Sequence, residues 1–133
     1  MKKLILILLF ITFQSCSSSD KEDQTINNTI EGKWTFENNN LNTMYIFKDG
    51  VRYTYYCVED QSDCYSLYNT YEAGDGNHLP TTNPYTFKNG ILTVDLHFGN
   101  ELVAPLTFEC NGGKVFVESL NPYYLFRLGF DCN

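Results

Sequence analysis

Asp49-Gly50, Asn89-Gly90, Gly99-Asn100 and Asn111-Gly112-Gly113 are turn signals that punctuate the chain. Asp-Gly and Asn-Gly tolerate positive φ at both central positions of a two-residue turn, so they join antiparallel neighbours. Between the turns the apolar residues recur every second position. Residues 91–98 show this best: Leu92, Val94, Leu96 and Phe98 share one face, and Thr93, Asp95 and His97 share the other. A packed core puts the apolar face inside, whereas a polar lumen would put Asp95 and His97 there. Burial of apolar surface favours the packed arrangement. Further strands are expected over residues 44–48, 51–57, 64–71, 85–88, 101–110, 114–119 and 123–130, with the first opening near Gly32. Pro105 lacks a ladder N–H, so its strand is expected at an edge, at a bulge or where closure is imperfect. No helical period stands out. The fold class is all-β, an antiparallel up-and-down meander of about eight or nine strands, and closure into a small barrel removes its exposed edges.

The start of the chain is of another kind. Lys2-Lys3, an apolar run over residues 4–13 and Ser15 before Cys16 predict a cleaved export signal over residues 1–15, because a spanning helix needs about 20 apolar residues. Removal leaves 118 of the 133 residues, enough for one domain and too few for two. Loss of the two lysines takes the formal charge from −7 to −9, and the scattered basic residues that remain build no stripe for a phosphate backbone. Nucleic acid is excluded as a partner on that ground. Residues 16–29 are polar and charged, with Ile26 their one large apolar residue, and read as a flexible tether before the domain at 30–133.

Cys57, Cys64, Cys110 and Cys132 remain beside Cys16, an even number that suggests disulfides in an oxidising compartment. Four cysteines allow three connectivities. Proximity and topology favour Cys57–Cys64, across opposite arms of a hairpin, and Cys110–Cys132, provided both of the latter lie beyond the ladder. No CxxC pair is present, and His78 and His97 do not stand at zinc-site spacings from the cysteines, so neither metal nor cofactor is expected. Glu59, Asp60 and Asp63 lack the alternating spacing of a calcium loop and read as a solvated tip. Residues 74–84, the longest irregular stretch, are a candidate lid or rim. His78 within them has no visible partner and reads as a surface residue.

Phe13-Gln14-Ser15-Cys16 resembles the lipobox of bacterial lipoproteins. The resemblance implies that Cys16 is acylated, palmitate being a typical chain, and becomes the first mature residue of an outer-membrane lipoprotein. Asp20-Lys21-Glu22-Asp23 is similar to the acidic signal that sends some lipoproteins to the cell surface, and equally reads as an ordinary linker. Gly32-Lys33-Trp34 resembles the Gly-x-Trp signature of lipocalins, over a domain similar to the lipocalin-like domains of small bacterial lipoproteins. That resemblance implies a barrel with Trp34 at one end of the interior. It also implies a small apolar or amphipathic ligand lined by Trp34, Tyr53, Tyr55, Phe98, Phe108 and Phe126. An alternative is a surface module for protein or glycan, using Tyr53, Tyr55, Tyr56, Tyr65, Tyr68 and Tyr71 as an exposed patch. No triad order, metal cluster or phosphate loop is recognisable, so no enzyme is expected.

Overall fold

The computed structural model describes residues 28–36 and 40–132. The export signal, Cys16 and most of the tether lie outside the described residues. Eight strands run in chain order around a closed antiparallel barrel. They are β1 (Gly32–Phe36), β2 (Asn40–Lys48), β3 (Val51–Tyr56), β4 (Asn83–Lys88), β5 (Ile91–Asp95), β6 (Glu101–Glu109), β7 (Lys114–Val117) and β8 (Tyr123–Arg127). β8 returns to β1 through Trp34↔Arg127, Thr35↔Phe126 and Phe36↔Leu125, which closes the ladder. The two-residue turns form as their sequence predicts: Asp49-Gly50 and Asn89-Gly90 hold positive φ at both positions.

Alternation sorts the side chains into an inside and an outside. Trp34, Phe47, Leu92, Val94, Ala104, Val115, Val117 and Leu125 are almost wholly buried in one interior cluster, each large side chain contributing roughly 1.5–3 kcal/mol. Leu92 and Val94 therefore face inward, the packed arrangement. β5 stops at Asp95, however, and the chain turns through His97, Phe98 and Gly99, all with positive φ. Asp95 holds this turn by accepting the His97 N–H at 2.7 Å, while His97 Nε2 meets the Thr82 carbonyl at 2.8 Å. Phe98 is thereby carried off the strand into full exposure.

β6 is not an edge strand, since it pairs with both β5 and β7. Pro105 accepts the Glu118 N–H at 3.0 Å, so its imide side also faces β7, one residue past the last β7 pair at Leu106↔Val117. The ladder bond to Glu118 that proline cannot donate therefore falls just beyond the β7 pairing.

The segment expected as a strand over 64–71 is the helix α1 (Gln61–Thr70). Cys64 and Tyr68, four residues apart, place their side chains on one face and bury it against Met44, Ile46 and Tyr55 on the outer surface of β2 and β3. The acids of the supposed loop tip stand at the helix start, with Asp60 at the N-cap position and Asp63 in the first turn, where negative charge complements the dipole. Lys33 reaches the other end, its Nζ donating to the carbonyls of Tyr68 at 3.2 Å and Asn69 at 3.0 Å. The disulfide Cys57–Cys64 thus ties the end of β3 to the first turn of a helix, with Cα atoms 5.6 Å apart, instead of crossing a hairpin. Cys110–Cys132 forms beyond the ladder, between the turn after β6 and the C-terminal tail.

Candidate ligand-binding site

The two ends of the barrel are built differently. At one end Trp34 is wholly buried and donates through Nε1 to the Ile30 carbonyl at 2.6 Å. Arg127 lies over its ring, the guanidinium carbon 4.4 Å from the centroid. All three guanidinium nitrogens of Arg127 are engaged: Nε with the Gly112 carbonyl at 3.1 Å, Nη1 with Glu31 at 2.9 Å and Nη2 with Thr29 at 3.0 Å. Gly32 has φ +122, and a Cβ there would run into Arg127 Nη1. Glycine is needed for this close approach as well as for the turn into the barrel. Thr29, assigned to the tether, is already tied to the domain by Arg127.

At the other end a pocket of about 540 Å³ opens between the turns that join β5 to β6 and β7 to β8. Tyr45, Leu102 and Tyr123 form its inner part, packed against the interior cluster, and Arg52 lies among them. Leu96, Val103 and Leu120 supply an apolar rim, with Glu101, Ser119 and Asn121 as its polar members. Arg52 is only 9% exposed. Its Nη2 donates to Asn83 Oδ1 at 2.7 Å, and Asn83 is held in turn by donating through Nδ2 to the Asp95 carbonyl at 2.8 Å. The guanidinium carbon lies 4.6 Å from the Tyr45 ring centroid, a cation–π contact. Burial lowers the Arg52 pKa, opposed by the phenols of Tyr45 and Tyr123. Burial also raises both phenols, Tyr123 to about 12, so they stay neutral donors at ordinary pH. A smaller groove of about 300 Å³ lies beside Thr29, Glu31 and Tyr85 at the closed end, where the chain enters the domain.

Of the six residues expected to line the interior, Trp34 and Phe108 point inward and pack on each other, with ring centroids 6.4 Å apart. They fill the barrel and lie outside the pocket lining. Tyr53 and Tyr55 belong to the outer face, because their β2 partners Ile46 and Met44 sit beneath α1. Phe126 also points outward, opposite Thr35 and beside Tyr124. Phe98 leaves the strand altogether.

The stretch over 74–84 is no lid. The Tyr55 hydroxyl donates to the Glu72 carbonyl at 2.7 Å, His78 packs edge-on to Tyr53 at 5.0 Å, and the Leu79 N–H donates to Thr54 O at 2.8 Å. The stretch therefore lies along the outer wall of β3. The same packing disperses the supposed tyrosine patch. Tyr55 and Tyr68 are wholly buried, and Tyr53 and Tyr71 are partly so.

None of the residues that line the pocket was among the six expected, and the charged one buried at its base is Arg52. Its signal is the alternation of β3, which puts Arg52 and Thr54 on the face opposite Tyr53 and Tyr55. No family model, curated protein or solved structure matches this chain.

Proposed function

We propose that this protein is a lipid-anchored, exported binding protein whose lipocalin-like barrel holds a small amphipathic molecule at its open end. The observation that carries the reading is the pocket of about 540 Å³ on the inward faces of β2, β3, β6 and β8, within the usual range for small-molecule sites. The opposite end supports it, because the buried Trp34 beneath Arg127 plugs it. Anchoring rests on the lipobox-like Phe13-Gln14-Ser15-Cys16 and its preceding apolar run, with the outer membrane as the destination and its periplasmic or surface leaflet as the working side. The lipid is then the membrane contact, and the barrel handles the ligand.

Native mass spectrometry of the protein purified from its own membrane tests both halves. The expected spectrum shows acyl mass on Cys16, lost in Cys16→Ser, and a second non-covalent mass lost in Leu102→Trp, which fills the inner pocket. A chain that carries its lipid alone, with no difference between the unaltered protein and Leu102→Trp, would remove the binding function. Absence of acyl mass would remove the anchor.

A further inference from the structure

We infer that the ligand is an amphipathic anion, an alkyl carboxylate, and that Arg52 receives its head group. The inference rests on the reading of the open end as a ligand pocket and assigns the chemistry of what enters.

The two arginines of the barrel interior make the case by contrast. Arg127 has a protein acceptor for each of its three nitrogens and an aromatic face beneath it, which is a finished structural role. Arg52 is buried to a similar purpose on only one side. One nitrogen is bonded to Asn83, and Nε is buried with no partner among the described residues. The ionisable groups that bear on its charge are the phenols of Tyr45 and Tyr123, and neither ion pair among the described residues involves it. A buried cation without a counter-ion is expensive, and a buried donor without an acceptor adds to that expense.

A carboxylate answers the larger deficit, since it supplies the missing negative charge and accepts N–H bonds from the part of the guanidinium that lines the pocket. Asn83 is itself fixed by the Asp95 carbonyl, so the guanidinium is held in place before anything binds. Leu96, Leu102 and Leu120 then offer the route outward to an alkyl chain, from the inner pocket to the apolar rim. Glu101, the carboxylate of the lining, is exposed, where water screens it.

Titration calorimetry tests the head group directly, using the full-length protein in phosphatidylcholine nanodiscs with empty discs subtracted. The probes are decanoate, decanol and decyltrimethylammonium, which share a chain and differ in charge. Decanoate is expected to bind one per chain and at least about tenfold more tightly than either of the others, the usual worth of hydrogen bonds to a charged group. Arg52→Met is expected to erase that preference, so that decanoate binds no more tightly than decanol. If all three bind alike, or the neutral chain binds best, Arg52 is not the recognition residue although the pocket stands. If none binds, the pocket reading fails and this inference with it. Should Arg52→Met fail to fold, the head-group series on the unaltered protein decides the matter.

Discussion

At the scale of single residues, the closed end depends on three positions from opposite ends of the domain. Trp34 is held by the Ile30 carbonyl, covered by Arg127 and reachable by Arg127 only because residue 32 is glycine. Replacing Arg127 by Gln leaves the Thr29, Glu31 and Gly112 carbonyls short of a charged donor and uncovers the indole. The expected loss is about 2 kcal/mol or more. It should appear as a lower urea midpoint with an unchanged slope, and a midpoint equal to that of the unaltered protein would show Arg127 to be dispensable. The Gly-x-Trp pattern made Trp34 legible. Its arginine was not, because alternation marks Arg127 as inward without saying what lies across the barrel. The same blindness hid Arg52. Aromatic side chains on β3 were read as lining, yet Tyr53 and Tyr55 are buried by a helix outside the wall, and the inward face carries Arg52 and Thr54.

At the scale of elements, α1 is where propensity misleads. Residues 64–71 are rich in tyrosine, which strands favour, and the hydrophobic period is faint because a single face touches the barrel through Cys64 and Tyr68. The readable signs were the acids at its start and the four-residue spacing of the two buried positions. A helix this short is marginal in water by itself. Its retention therefore rests on Cys57–Cys64, on Lys33 at its C-terminal carbonyls and on the packing of Tyr68 beneath it. The paired replacement Cys57→Ala with Cys64→Ala is expected to cost about 2 kcal/mol, the loop-closure contribution of so short a bridge. Because the ladder closes without α1, the barrel should persist while the helix loosens. Hydrogen exchange would then accelerate over 61–70 and stay slow in β6 and β7; equal acceleration in both would show the helix and barrel to be one cooperative unit.

For the molecule as a whole, turn chemistry and period two were enough to read a closed meander, since each strand pairs with its neighbour in sequence. What they could not convey is the difference between the ends, which arises from side chains that meet only after closure. One end is finished by Trp34 and Arg127, and the other leaves Arg52 under a pocket flanked by Tyr45 and Tyr123. The buried phenols make that closure sensitive to alkali. Burial pushes Tyr123 up to about 12, with Tyr45 adding and Arg52 opposing, and burial beside Glu31 pushes Tyr85 up to about 12 as well. An unfolded tyrosine ionises near pH 10. Folded-state values above the unfolded one mean that the native chain keeps protons the unfolded chain has released. Their contribution is complete below about pH 10 and disappears as pH rises from there through about 12. Urea midpoints measured from pH 8 upward should therefore fall steeply across that window. The fall should be shallower in the variant carrying Tyr85→Phe and Tyr123→Phe, which has no phenols at these positions to ionise. Identical alkaline profiles for the two proteins would mean that neither phenol is linked to closure.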